Sequence, residues 1–205
     1  MYRLRLCMSE RMPRSREFDE EAVLDAAMHS FWTHGYESTS VKDLVEKTGV
    51  SSASLYNAYG DKRTIFGTAL DRYVERSIEE RLSRCEKLRP REAIKSFFDD
   101  ILRRSINDPE HKGCMVVNSA LELAPHDREL REDIVKVLER LEAFFRKCVE
   151  EGQAEGTITQ SRPASAMAQH LLGVLMGVRV LARVRPERSL LEGVIATALA
   201  SLDPQ

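Results

Sequence analysis

Between Thr39 and Lys62 the chain reads Thr-Ser-Val-Lys-Asp-Leu-Val-Glu-Lys-Thr-Gly-Val-Ser-Ser-Ala-Ser-Leu-Tyr-Asn-Ala-Tyr-Gly-Asp-Lys. That pattern leaves room for little except two short helices joined by a glycine turn and followed by a third. Ser40, with Asp43 three residues on, forms a capping box in which each side chain satisfies the other's free backbone N–H. Val41, Leu44 and Val45 fall at helical spacing, so one face is buried while Lys42, Glu46 and Lys47 stay in water. Gly49 provides the turn, because glycine reaches positive φ without a Cβ clash. Ser51 caps the second helix, whose Leu55 and Tyr59 pack back on the first. Ser52, Ser54 and Asn57 are left facing outward, and a helix presenting small polar groups suits the major groove of DNA.

The surrounding sequence sharpens that expectation. It contains the run Ala26-Ala-Met-His-Ser-Phe-Trp-Thr-His-Gly-Tyr-Glu-Ser-Thr-Ser40, the Gly49-Val-Ser51 turn, and Leu55-Tyr56 followed by Tyr59-Gly-Asp-Lys62. With these spacings the block from Phe18 to Phe66 resembles the N-terminal domain of the TetR family of transcriptional repressors, a far more specific match than a bare helix-turn-helix. The resemblance implies a homodimer on a near-palindromic double-stranded operator, with two reading helices about 34 to 36 Å apart. It implies that Ser52, Ala53 and Ser54 form the base-facing start of the reading helix, and that Tyr56 and Asn57 lie near backbone or base edges. Lys62 would reach a phosphate, Thr39 and Ser40 would add hydroxyl contacts to phosphate, and Lys42 would reach a guanine edge or a neighbouring phosphate. Capping by Ser51 and Ser52 and packing by Tyr56 are the competing structural roles.

The remainder is expected to be helical too. Seven prolines and ten glycines in 205 residues leave room for long helices, and no run alternates between apolar and polar residues as a half-buried strand would. The fold class is therefore all-α: a basic, flexible arm at 1–17, a three-helix DNA-binding domain at 18–64, and a helical ligand-sensing and dimerisation domain at 65–205. The N-terminus lacks a sustained apolar core, so no cleavable signal is expected and the protein should stay in the cytoplasm. Four scattered cysteines without a Cys-x-x-Cys pair argue against a zinc site or a disulfide framework. No metal and no cofactor is expected. Net charge is −2, and residues 1–64 carry nine Lys and Arg against ten Asp and Glu. DNA binding must therefore come from placed cations, the arm Arg3 to Arg16 and the flanking Lys42, Lys62 and Arg63, rather than from a general positive field.

Further along, a first helix at about 19–34 buries Val23, Ala27 and Phe31 and stops at Gly35. A long helix after Lys62 carries Phe66, Leu70, Tyr73, Val74, Ile78, Leu82 and Cys85 inward until Pro90. Helices are expected at about 91–106, in a short run ending at Leu123 before Pro125, and at 127–151. The apolar stretch 164–184 is interrupted by Gln169, His170, Arg179 and Arg183, which argues against a membrane span. His170, Gly173 and Gly177 share one of its faces. This resembles the family's dimer interface, a four-helix bundle to which the last helix would contribute Leu191, Val194, Ile195, Ala198 and Leu202; the competing role is a buried helix pair within one protomer.

Gly113-Cys-Met-Val-Val-Asn-Ser-Ala-Leu-Glu122 is similar to the segment that carries the sensing cysteine in an electrophile-responsive member of the family. Cys114 is the matching thiol, with His111, Lys112 and a helix N-terminus able to lower its pKa; the competing role is a small buried cysteine in an apolar helix. At the position of that member's supporting lysine this chain has Arg183. A reversible small-molecule inducer in an apolar pocket is the broader expectation, with Asn118, Glu122, His126 and His170 as polar candidates. Other classes are a dimeric protein-binding scaffold and a helical-bundle enzyme. The enzyme lacks a Glu-x-x-His pair, a phosphate loop or a nucleophile motif.

Overall fold

The structure, a computed structural model, describes residues 19–204. The basic arm expected at 1–17, together with Phe18 and Cys7, lies outside the described residues. Among the described residues every regular element is helical, as the sequence implies.

Helix α1 (Glu20–His34) starts at Asp19, whose carboxylate accepts from the Glu21 and Ala22 amides, and Glu20 and Glu21 suit the positive end of its dipole. It buries Val23, Ala27 and Phe31 and ends at Gly35, φ 88°. Helix α2 (Val41–Thr48) carries the complete Ser40–Asp43 capping box, and Gly49 follows in the left-handed region at φ 70°, ψ 6°. Ser51 caps α3 (Ser52–Tyr59) by accepting from the Ser54 amide. Leu44 and Leu55 are completely buried, and a cluster of Phe31, Tyr36 and Phe66 rings ties α1 to α4 (Lys62–Val74).

The long helix after Lys62 is α4, a π-helical turn Glu75–Glu79, and α5 (Glu80–Cys85). The π turn has a legible cause. Buried Phe66, Leu70 and Tyr73 are followed by Ile78, five residues after Tyr73, then Leu82 and Cys85. A wider turn absorbs the additional residue and keeps one apolar face.

Helix α6 (Pro90–Ile106) opens with proline at its first position, where no N–H is needed. After the 107–113 loop come α7 (Met115–Glu122), α8 (Arg128–Ala154), α9 (Ala164–Val184) and α10 (Arg188–Ala200). Helix α8 lies against α6 and α9, and α10 against α9 and α6. Phe97, Phe98, Phe144 and Phe145 form an aromatic centre between α6 and α8. Helix α9 is long and apolar enough to cross a membrane, with a mean hydropathy of 1.3, yet it sits in this bundle with Arg179 buried.

The proposed seam on the last helix needs correcting. Leu191, Ile195, Ala198 and Leu202 are buried inside the protomer, and Val194 is half-buried, so these side chains hold α10 to its own bundle and are not a surface for a second copy. The apolar stripe is there, but the protomer's own core uses it. Besides Arg188, Ser189 and Glu192, α10 exposes Gly193, Ala196, Thr197 and Ala200, and α9 exposes His170, Gly173, Gly177, Val180 and Val184. A Cβ placed on Gly173, Gly177 or Gly193 would meet nothing within 4 Å.

Candidate nucleic-acid interface and effector pocket

Helix α3 buries Leu55 and exposes Ser52, Ala53, Tyr56 and Asn57. Ser54 is half-buried and its hydroxyl lies 3.0 Å from that of Ser51, so its first role is in the cap. Tyr56 is 43% exposed, an unusual position for a large ring in so short a helix. Lys42 projects from α2 into solvent. Lys62, at the start of α4, holds its ammonium 4.2 Å from the centre of the Tyr36 ring, a cation–π contact that positions the charge at the head's surface.

Three expected DNA contacts are placed otherwise. Thr39 is buried and its hydroxyl donates to the Gly35 carbonyl (2.7 Å), closing the α1–α2 turn, so it has no surface from which to meet a phosphate. The Ser40 hydroxyl donates to Asp43 (2.7 Å) within the capping box, and the Asp43 carboxyl, held below its ordinary pKa first by that hydroxyl, keeps a negative charge there. Arg63 points into the body instead: its guanidinium meets Asp127 at 2.8 and 3.2 Å and Glu129 at 3.3 Å. Asp127 also caps α8 through the Leu130 amide, so one carboxylate fixes the start of α8 and ties it to α4.

A second tie joins head and body. Glu122, the last residue of α7, accepts from the Tyr36 amide (3.1 Å) and the Glu37 amide (2.8 Å). The expectation that it faces a ligand is corrected: it clamps the α1–α2 turn. A third tie runs from α1 to the long helix, where Arg72 of α4 and Arg76 of the π turn grip Asp25 at 2.5 and 2.7 Å.

At the other end of α7, Cys114 is its N-cap residue and lines a small, mainly apolar chamber with Ile78, Phe97, Ile101, Leu141 and Leu175. The chamber holds about 20 Å³ of free volume, room for about one water. The Tyr73 hydroxyl donates to the Cys114 sulfur at 3.5 Å, and burial pushes that phenol far above its ordinary pKa, keeping it a donor. The cation beside the thiol is Arg179, not Arg183: Arg183 is exposed and donates to the Lys112 carbonyl at 2.8 Å. Lys112 is engaged by Asp108 and Glu110 and lies 5.3 Å from the Trp32 ring, while His111 is exposed.

Of the five ligand candidates only Cys114 lines this chamber. Asn118 donates to the Lys112 carbonyl (2.9 Å) and braces the loop before α7. His126 is exposed in the turn before α8, and His170 is exposed on the outer face of α9. Tyr73, Arg81 and Arg179 were not foreseen at the pocket. Arg179 had been visible in the sequence only as a charge interrupting an apolar run.

Residues 23–69 match the N-terminal domain described as bacterial regulatory proteins, tetR family. Residues 90–198 match the tetracyclin repressor-like C-terminal domain. The chain belongs to the TetR family of transcriptional regulators. It is 32% identical over 94% of its length, and 100% of the relative's, to the HTH-type transcriptional regulator YezE of Bacillus subtilis (strain 168). It is 29% identical to the HTH-type transcriptional repressor ComR of Escherichia coli (strain K12), over 86% of this chain and 85% of ComR. Among solved structures it is similar to a cysteine mutant of the TetR regulator CifR complexed with a 26bp double-strand operator DNA: TM-score 0.82, 28% identity, 93% of this chain and 99% of that one. Reduced NemR of E. coli shares the fold, with TM-score 0.79 at 19% identity over 89% of this chain and 95% of that one. TetR regulators are soluble DNA-binding proteins and not enzymes.

Proposed function

We propose that this protein is a homodimeric repressor that binds a near-palindromic operator through α3 and lets go when its pocket is filled or its thiol modified. The carrying observation is α3 itself, whose Ser52, Ala53, Tyr56 and Asn57 stand in solvent opposite buried Leu55 in a head that matches the family. Lys62, backed by Tyr36, and Lys42 supply phosphate contacts. The division is a head at 18–64 and a sensing and dimerising body at 65–205, with α4 crossing the boundary. A second copy packs on the open α9–α10 face, where Gly173, Gly177 and Gly193 permit close backbone approach. The protein works in the cytoplasm, without a membrane.

Helix α7 is the coupling element. Its eight residues span about 12 Å, from Cys114 at the chamber to Glu122 at the α1–α2 turn. With so little free volume, a ligand entering the chamber must displace side chains, including those of α7, and the α7 end holds the reading head. An electrophile acts at the same point: the Cys114 sulfur adds to the β-carbon of an activated alkene and its proton ends on the α-carbon.

The test is operator affinity against salt. Lys62→Ala lowers the log–log salt slope by about one unit and weakens all duplexes alike. An unchanged slope removes Lys62 from the phosphate contacts. N-ethylmaleimide treatment that leaves operator affinity untouched, with Cys114 shown by mass to be labelled, rules out the thiol route.

A further inference from the structure

Arg179 sits mid-way along α9, 7% exposed. Its Nη1 donates to the Ser105 hydroxyl at 3.0 Å and its Nη2 to the Gly113 carbonyl. Its Nε has no acceptor among the described residues, and no carboxylate is paired with it. The Tyr73 hydroxyl and the Cys114 thiol are its other polar neighbours, and a buried guanidinium with no carboxylate partner among the described residues is costly unless an anion joins it.

Two cavities meet at this residue, and Tyr73 and Arg81 line both. One is the apolar chamber beside Cys114. The other is a cleft of about 440 Å³ between α1 and the 107–113 loop, walled by Trp32, Arg103, Arg104 and Lys112. Its charge is unbalanced. Among the described residues Arg81, Arg103, Arg104, Lys112 and Arg179 line it as cations against the single carboxylate of Asp108; from outside the lining, Asp100 pairs with Arg81, Arg103 and Arg104 and Glu110 with Lys112. Four guanidiniums and one ammonium thus confront three carboxylates, only one of which lines the cleft. Trp32 contributes a second buried donor, Nε1, that lacks an acceptor among the described residues.

We propose that the joined cavities are built for a small amphiphilic anion, a carboxylate carrying a compact apolar body. The carboxylate takes the cleft, where it is acceptor-only and complements the Arg179 Nε and Trp32 Nε1 donors. The apolar body enters the chamber, widening it at α7. A neutral or cationic compound of the same shape leaves the Arg179 charge unanswered. This assignment rests on the effector-released repressor reading above and names the chemistry of its effector.

Trp32 is the only tryptophan of the chain, so its emission reports directly on the cleft. The full-length protein is titrated with octanoate, 1-octanol and inorganic phosphate while Trp32 emission is followed. In parallel, anisotropy is measured on labelled duplexes from the DNA upstream of its gene. The expected result is a saturable Trp32 response to octanoate, with 1-octanol and phosphate at least about tenfold weaker, and release of DNA over the same octanoate range. Arg179→Gln, which keeps amide donors, weakens octanoate about tenfold or more. Because a buried substitution can unfold the protein, Arg104→Gln at the exposed rim gives a second reading, about threefold weaker. Equal binding of octanol and octanoate, or octanoate binding unchanged in both variants, overturns the anion site. Octanoate occupancy with unchanged DNA affinity overturns its role as effector. Failure of the repressor reading itself shows separately, in the ligand-free DNA titration.

Discussion

Removing the Glu122 carboxylate should both loosen the fold and uncouple its two halves. Glu122 sits at the C-terminal end of α7, the wrong end of the helix dipole for an acid, and is kept there by the Tyr36 and Glu37 amides at 3.1 and 2.8 Å. Hydrogen bonds to a charged acceptor contribute about 1.5 to 3 kcal/mol each. The Glu37 contact is exposed and its amide can rehydrate, so Glu122→Ala is expected to cost about 2 kcal/mol in all, out of a total stability of about 5 to 15 kcal/mol. Glu122→Gln keeps a single carbonyl oxygen to accept and should lose about half as much. Urea unfolding reads the stability term, and operator anisotropy with and without effector reads the coupling. The predicted outcome is a lower urea midpoint with unchanged slope, together with a smaller ratio of free to effector-bound DNA affinity. If Glu122→Ala unfolds within about 0.5 kcal/mol of the unaltered protein and keeps its full effector response, α7 is not the strut described above.

Other perturbations follow from the same contacts. Gly49→Ala should destabilise by about 1 to 2 kcal/mol through φ 70° alone, since a Cβ there meets nothing within 4 Å; a loss in urea melts that Gly49→Asn largely recovers checks this. Gly35→Ala should do worse, because φ is 88° and the new Cβ would lie 2.9 Å from the Glu122 carboxylate; a melt no lower than that of Gly49→Ala contradicts it. Burial pushes the Cys148 thiol up to about 12 and raises Cys85 as well, so brief alkylation near neutral pH should leave both unlabelled by mass spectrometry. The Arg72 guanidinium, followed by Arg76, holds the Asp25 carboxyl below its ordinary value. That contribution is complete above about pH 4 and is lost as pH falls through the lowered folded value, so the stability gap between the unaltered protein and Asp25→Asn should close in acid.

The head was legible because its signals are local. Ser40 with Asp43, Gly49, Ser51 and the buried Leu44 and Leu55 all act within a few residues of one another, and each lies where the sequence pattern put it. The contacts of Thr39 and Arg63 were not legible for the opposite reason. A threonine at a helix entrance and an arginine beside a reading helix look the same whether they face DNA or the protein, and only the folded chain brings Gly35 and Asp127 to them. On α10 the apolar stripe was read correctly as a buried seam, but periodicity does not say which surface does the burying. The effector chamber was hardest. Tyr73 and Arg81 come from the long helix after Lys62, Cys114 from the start of α7 and Arg179 from α9, and only Arg179, a charge inside an apolar run, carried a signal in the sequence that could have drawn attention to it. Glu122 left a similar trace, as an acid at a helix end where a cation belongs.

The central claim, that two copies of α3 read one symmetric site, is tested most directly by fluorescence anisotropy on duplexes tiled across the DNA upstream of the protein's own gene, over a salt series and with stoichiometry determined at saturation. The account predicts tight binding to one near-palindromic fragment, protomers bound in pairs, and a steep fall in affinity with salt. Weak binding of equal strength on every fragment, or a single protomer bound at saturation, would contradict it.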